Sequence, residues 1–206
     1  MSAETRSRPY RQVARAAATE ETRRRIVAAF AEALAQRWLD EITLDELGLA
    51  AGTTRQTVIR LFGGKEGLLD AVVDWMREGV VIRRALAPGP VAIAIAVARA
   101  VGEDYEASGN MIIRLLAQEG RHPGLSALLD HGRQHHRNWI GEVFAGPIAS
   151  HPPAEREALI DRLIVATDVY SWKLLRRDAG RNRPEAEAAI AALIAAILAA
   201  RSNDHG

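Results

Sequence analysis

The sequence predicts an all-α protein in which an N-terminal three-helix domain with a helix-turn-helix precedes a larger helical domain. Three observations support this fold class. Apolar residues recur every three to four positions in most segments, as on one face of a helix. No segment has the alternating apolar and polar residues of a half-buried strand. Glycine and proline clusters, such as Gly63-Gly64 and Pro88-Gly89-Pro90, separate the periodic segments.

Composition narrows the class of protein. The 206 residues are 48% apolar and 26% charged, which is ordinary for a soluble globular chain. Cysteine is absent, so disulfides, thiolate nucleophiles and cysteine-bound zinc are excluded. No apolar run approaches the roughly 20 residues that span a bilayer, and the polar N-terminus has no signal-peptide pattern. We therefore expect a cytoplasmic protein with no membrane partner.

Enzyme motifs are missing from the sequence. Gly64-Lys65 lacks the earlier glycine and the following hydroxyl residue of a phosphate-binding loop. No dinucleotide-binding glycine pattern follows a strand, and no serine or aspartate sits on a recognisable nucleophile turn. The sequence therefore predicts neither an enzyme nor a cofactor.

The first residues are basic although the whole chain has a net charge of only +1. Residues 1–25 contain seven arginines and three glutamates. Residues 1–18 are expected to form a flexible basic arm, which either lies in a DNA minor groove or is a frayed, solvated terminus. The first helix is expected to begin at Thr19 or Glu20 and to bury a stripe containing Ile26, Phe30 and Leu34.

Two short helices and a turn follow between Thr43 and Lys65. Thr43 and Glu46 have the spacing of a capping box, which fixes the start of the first short helix. Gly52 occupies the position where a helix end needs a left-handed residue. Thr53 or Thr54 caps the second helix, which is expected to bury Val58, Leu61 and Phe62. This order predicts a helix-turn-helix within a domain that spans residues 19–75.

The other face of the second helix carries side chains that bind bases and phosphates. Arginine pairs with guanine, glutamine with adenine, and threonine with a thymine methyl group or a phosphate. A lysine beside free helical amides at the start of the next helix favours a phosphate. The alternative to DNA binding is a helical hairpin whose cationic face is solvated. The predicted DNA-binding residues are Thr43, Thr54, Arg55, Gln56, Thr57, Arg60 and Lys65, with Thr43 and Lys65 assigned to phosphates.

A longer helix from Gly64 to about Arg84 is expected to connect this domain to residues 76–206, which form the second domain. Helices are expected there from Val91 to about Tyr105, Asn110 to Glu119, Leu125 to Phe144, Pro153 to about Arg177 and Pro184 to Ala200. Ser108-Gly109-Asn110 is interpreted as a break between the first two of these helices.

The last two predicted helices are apolar over more surface than one neighbour needs. Their many alanines permit close approach, so two copies of each helix would form a four-helix bundle across a two-fold axis. The alternative is an intrachain hairpin packed on the core. We favour a homodimer, because paired recognition helices need a partner at a fixed spacing.

A small-molecule pocket is expected among the helices of residues 91–175, because such pockets are apolar with a few placed polar groups. Core packing is the alternative for each candidate. His131 and His135 have the spacing of a metal pair, but Arg133 and Arg137 would repel a cation, so no metal site is predicted. The candidate ligand-binding residues are Tyr105, Met111, Arg114, Leu115, Trp139, Asp168, Tyr170 and Trp172, with Glu119, Phe144 and Thr167 in the wider set.

Ile42–Val72 reads ITLDELGLAAGTTRQTVIRLFGGKEGLLDAV and resembles the DNA-binding domain of the TetR family of bacterial regulators. The chain departs from the family pattern at Ile59, where a phosphate-binding tyrosine is common, at Leu61 and at Gly63. The resemblance implies a homodimeric transcriptional regulator, most often a repressor. It also implies that a ligand in the C-terminal domain changes the separation of the recognition helices.

A second hypothesis is that the chain has the same helical fold but does not bind DNA. The chain would then be a helical protein-interaction or small-molecule-binding module, which the low net charge and Ile59 favour. Salt dependence separates the two hypotheses, because phosphate contacts release counterions and protein contacts mostly do not.

Overall fold

The computed structural model describes residues 7–83 and 92–200, and every regular element in these two ranges is helical. The all-α fold class is thereby confirmed. The chain divides into two compact units, Met1–Trp75 and Met76–Gly206. Within the described ranges, no helix combines the length and the apolar character needed to cross a membrane.

The N-terminal unit begins with the long helix α1 (Ser7–Gln36), which is followed by a 3-10 turn (Leu39–Glu41). The two short helices are α2 (Leu44–Ala50) and α3 (Arg55–Phe62). Helix α4 (Lys65–Arg83) starts in this unit and contributes its remaining residues to the second unit.

The core of this unit forms where the apolar stripe of α1 meets the short helices. Ile26, Phe30 and Leu34 are completely buried, as are Val58 of α3 and Leu68 of α4. Burying one such side chain contributes about 1.5–3 kcal/mol. Helices of seven and eight residues are unstable alone, so this shared core is what holds α2 and α3 in place.

Helix α1 starts twelve residues earlier than the predicted start at Thr19. Residues 13–18 read VARAAA, and alanine and arginine are strong helix formers. The hydroxyl groups of Thr19 and Thr22 donate to the carbonyl oxygens of Arg15 (2.9 Å) and Ala18 (2.8 Å), which also fit a continuous helix. The expected flexible arm is therefore wrong for residues 7–18, and residues 1–6 lie outside the described residues.

The C-terminal unit contains α5 (Ile93–Leu116), a 3-10 turn (Glu119–Arg121), α6 (Pro123–Val143) and α7 (Ala145–Ala149). It continues with α8 (Pro153–Thr167), α9 (Val169–Lys173), a π-helical turn (Leu174–Asp178) and α10 (Arg183–Ala199). Helix α10 packs on α5 and α8, and α6 packs on α8. The core between them includes Val101, Ile140, Phe144, Leu159, Leu163, Trp172, Ile190 and Ile194.

Helix α5 is continuous where the sequence predicted a break. A Cβ added to Gly109 would lie 2.5 Å from Cζ3 of Trp172, so the glycine leaves room for the indole ring. The Ser108 hydroxyl donates to the carbonyl of Asp104 (2.8 Å), one turn earlier in the same helix. The predicted break at Ser108-Gly109-Asn110 is therefore wrong, because the small residues serve packing and not a turn.

The predicted single helix from Pro153 to about Arg177 is also wrong, because it ends at Thr167 and restarts after Asp168. Asp168 has an extended backbone, and its carboxylate accepts a hydrogen bond from the amide of Tyr170 (2.8 Å). An aspartate is a favoured N-cap residue, so the sequence did carry this signal.

Candidate nucleic-acid interface

Helix α2 is fixed at its start by a complete capping box. The amide of Glu46 donates to the Thr43 hydroxyl (3.2 Å), and the Thr43 amide donates to the Glu46 carboxylate (3.0 Å). The hydrogen bond from the Thr43 backbone lowers the pKa of Glu46 below its usual range. A hydroxyl has one donor and two acceptor sites, so a phosphate contact by Thr43 is compatible with this cap and stays a prediction.

The turn between α2 and α3 brings two backbones together. A Cβ added to Gly48 would lie 2.8 Å from the carbonyl carbon of Thr54 and 2.9 Å from the amide nitrogen of Arg55. The amide of Thr53 donates to the Gly48 carbonyl (2.7 Å), and Gly52 has a positive φ of 64°. The crossing of the two helices therefore depends on glycine at position 48.

Both ends of α3 carry the predicted cap residues. The Thr54 hydroxyl accepts from the amide of Thr57 (3.3 Å) and lies 3.2 Å from the Thr57 hydroxyl. At the other end, Gly63 has a left-handed φ of 77°, and its amide donates to the carbonyl of Ile59 (2.7 Å). The helix starts and stops at defined residues, so its side chains have a defined direction.

Helix α3 has one buried and one exposed side. Val58 is completely buried, whereas Arg55, Gln56, Ile59 and Arg60 are exposed. These four positions share one face of a helix, which we call the outer face of α3. It offers two guanidinium groups and one amide, and such groups form paired hydrogen bonds with guanine and adenine in the major groove.

The guanidinium of Arg55 is drawn towards α2. Its Nε lies 3.7 Å from Oδ2 of Asp45, and both side chains are more than half exposed. An exposed ion pair of this length contributes little stability. Arg55 is therefore oriented weakly and is able to exchange the carboxylate for another partner.

Arg23 of α1 contacts the end of α3, and the sequence did not predict this contact. Its guanidinium donates to the Leu61 carbonyl (2.7 Å) and lies 4.5 Å from the centre of the Phe62 ring. No local pattern reveals the contact, because 38 residues separate its partners.

Lys65 binds protein carbonyls. Its ammonium donates to the carbonyl oxygens of Leu39 (2.9 Å) and Asp40 (3.4 Å), and the residue is half-buried. This contact ties the start of α4 to the 3-10 turn. An ammonium has three donors, so the predicted phosphate contact stays a prediction beside this structural role.

Two ligand candidates of the C-terminal unit, Tyr105 and Thr167, meet at the end of α8. The Tyr105 hydroxyl donates to the backbone carbonyl of Thr167 (3.1 Å), and Nε2 of His136 lies 2.9 Å from the Thr167 hydroxyl oxygen. All three residues are buried. We call Tyr105, His136 and Thr167 the Thr167 cluster; its histidine was not among the predicted candidates.

Trp172 belongs to a second polar group, which it forms with Glu106 and Arg177. The indole N–H donates to the Glu106 carboxylate (3.1 Å), and Arg177 lies 4.6 Å from the ring centre. The carboxylate also forms a two-nitrogen ion pair with Arg176, and this pairing lowers the pKa of Glu106.

The remaining ligand candidates are not equivalent. Met111 and Leu115 are buried in α5, and Arg114 is half-buried beside them. Trp139 is half-buried and stacks on His136 with ring centres 6.0 Å apart. Asp168 caps α9, and Tyr170 is 55% exposed, so neither joins the Thr167 cluster. Their assignment to a ligand stays a prediction.

The helix-turn-helix region is similar to a known protein family. Residues 26–72 match the family model described as bacterial regulatory proteins, tetR family. No curated protein matches the sequence.

Solved structures match far more of the chain. A tetR-family transcriptional regulator from Streptomyces coelicolor is 23% identical with a TM-score of 0.69, over 86% of this chain and 80% of its own. A putative TetR-family regulator from Rhodococcus sp. is 16% identical with a TM-score of 0.70, over 87% of this chain and 100% of its own. A transcriptional regulator from Rhodococcus sp. Rha1 is 17% identical with a TM-score of 0.68, over 85% and 95%. At these identities, the likeness establishes the fold.

The match to the family model and the shared fold support a DNA-binding transcriptional regulator, and the regulators of the TetR family are not enzymes. Residues 26–72 are similar to the TetR-family DNA-binding domain, and the described chain has the fold of TetR-family regulators. The resemblance noted in Ile42–Val72 is confirmed.

Proposed function

We propose that the chain is a repressor that binds a DNA operator as a homodimer and leaves it when a small molecule binds the C-terminal unit. The outer face of α3 carries the proposal. Its arginines and glutamine are exposed on a helix that is capped at both ends and buried along its opposite side. Such a helix presents fixed hydrogen-bonding groups to the base edges of a major groove.

Base and phosphate contacts divide among the predicted residues. Arg55, Gln56 and Arg60 read base edges from the outer face, while Thr54 and Thr57 at the start of α3 contact bases or phosphates. Thr43 and Lys65 contact phosphates at the edges of the interface, because each keeps donor capacity beyond its structural hydrogen bonds.

Exposed apolar side chains on the last helices support the homodimer. Val165 of α8 is 67% exposed and Leu193 of α10 is 51% exposed in the single chain. Two copies of these helices would bury the exposed side chains in a four-helix bundle and place two recognition helices at a fixed spacing.

The Thr167 cluster supports an effector site in the C-terminal unit. Buried hydroxyl and imidazole groups among apolar helices are the kind of lining that orients a small molecule. The cluster lies at the junction of α8 with α9, so a ligand there would act on one of the proposed dimer helices. The ligand shifts the dimer only by its different affinity for the DNA-binding and DNA-free forms.

Selection from random duplex DNA tests the proposal. The full chain should enrich a palindromic sequence with half-sites about one helical turn, roughly 34 Å, apart. Arg60→Ala should weaken binding to that sequence. The matched control is Arg99→Ala, which removes an exposed arginine of α5, outside the proposed DNA-binding and dimer surfaces, and should leave binding unchanged.

The same selection identifies the alternative. If no sequence is enriched and binding is independent of salt, the chain does not read DNA, and the interaction-module hypothesis replaces the proposal.

A further inference from the structure

The outer face of α3 contains one side chain that forms no hydrogen bonds. Ile59 is 39% exposed, with Arg55 and Gln56 one helical turn before it and Arg60 directly after it. It therefore lies among the groups proposed to read bases.

Ile59 is not part of the buried core of its unit, and helix stability does not favour an isoleucine at this position. Val58, its neighbour, is completely buried in the core, and Leu61 and Phe62 are half-buried. A β-branched side chain also favours a helix less than alanine, lysine or glutamine would at an exposed position. A single exposed apolar residue is common on protein surfaces, so the chemistry of the proposed partner has to decide its role.

The major-groove edge of B-DNA offers one exposed apolar group, the C5-methyl group of thymine. We infer that Ile59 is a specificity-determining residue, whose side chain packs on the C5-methyl group of a thymine between the bases read by Gln56 and Arg60. The contact removes apolar surface of both partners from water and discriminates against cytosine, which lacks the methyl group. The inference rests on the proposed operator binding.

Replacing thymine by deoxyuracil removes this methyl group and leaves the base's hydrogen-bonding groups unchanged. In the operator obtained by selection, each thymine of a half-site is replaced in turn, and binding of the full chain is followed by fluorescence anisotropy. One position should weaken wild-type binding about fourfold, the effect of one buried methyl group.

Ile59→Ala should weaken binding to the thymine operator and show no further loss at that position. Ile59→Val, which keeps a branched apolar side chain, should retain most of the preference for thymine. The matched control is Leu49→Ala on α2, because Leu49 is also exposed (82%) but lies outside α3. This control should keep the full deoxyuracil effect, and its helix content and melting temperature show whether the fold is intact.

The outcomes separate the inference from the proposed function. If an operator is found and deoxyuracil substitutions affect wild type and Ile59→Ala equally at every position, the methyl contact is overturned while operator binding stands. If no operator is enriched at all, both are overturned.

Discussion

The two units of this chain hold their functional side chains in opposite ways. In the N-terminal unit, most side chains proposed to bind DNA are exposed, and caps a few residues away fix the helices that carry them. In the C-terminal unit, the Thr167 cluster and the Glu106–Arg176 pair join residues that lie 31 to 70 positions apart in the sequence. Local chemistry therefore defines the first site, and tertiary packing defines the second.

The largest effect on stability and DNA binding is expected at Gly48, which packs against the backbone of Thr54 and Arg55. Gly48→Ala would place a Cβ 2.8 Å from the Thr54 backbone, which is unable to move aside without changing the crossing of α2 and α3. We expect a loss of about 1–3 kcal/mol in the free energy of unfolding, together with loss of specific DNA binding. Thermal unfolding and anisotropy measure the two effects.

Gly132→Ala is the matched control, because a Cβ on this α6 glycine meets nothing within 4 Å. It should stabilise the helix by up to about 1 kcal/mol and leave DNA binding unchanged. Equal effects of the two alanines would show that the close approach at Gly48 does not matter.

The next effect sharpens the proposed role of the outer face of α3. Arg55→Ala should weaken operator binding by about 1–3 kcal/mol and random DNA by less, because a base contact is lost. Anisotropy titrations on both duplexes give the two losses. An equal loss on both would assign Arg55 to the phosphate backbone instead.

Arg23→Ala tests a residue that acts through α3. Since its guanidinium binds the Leu61 carbonyl and the Phe62 ring, its removal should lower the free energy of unfolding by about 1 kcal/mol. Specific binding should weaken with no change in the slope of log affinity against log salt. A slope reduced by about one unit would mean that Arg23 neutralises a phosphate.

The smallest effect concerns pH and compares one carboxylate from each unit. The pKa of Glu106 is lowered by Arg176, so its contribution to stability is present above its unfolded pKa and is lost as pH falls through the lower folded pKa. Below about pH 4, Glu106→Gln should therefore lose stability less steeply than wild type. Urea unfolding at several pH values measures the difference.

Glu46→Gln is the counterpart in the N-terminal unit. The pKa of Glu46 is also lowered, mainly by the Thr43 backbone, but the carboxylate is exposed to solvent. Its pH effect should have the same sign and be smaller, because water screens an exposed carboxylate more than a partly buried one. A larger effect at Glu46 than at Glu106 would mean that partial burial does not strengthen the Glu106–Arg176 pair.

This contrast explains which features the sequence predicted. The capping box at Thr43, the cap at Thr54 and the stop at Gly63 depend on neighbouring residues, and all three are present. Three other contacts join residues that are far apart in the sequence. They are Arg23 with Leu61, Trp172 with Gly109, and His136 with Thr167. Gly109 was interpreted as a break because the adjacent sequence gives no sign that Trp172 packs against it.

The most direct test of the central claim is the ratio of affinities of the full chain for its selected operator and for a scrambled duplex of equal length. Fluorescence anisotropy at several salt concentrations should give a ratio of about 10³ or more, with two chains per operator and steep salt dependence on both duplexes. A ratio near one would contradict the claim that the outer face of α3 reads a DNA sequence.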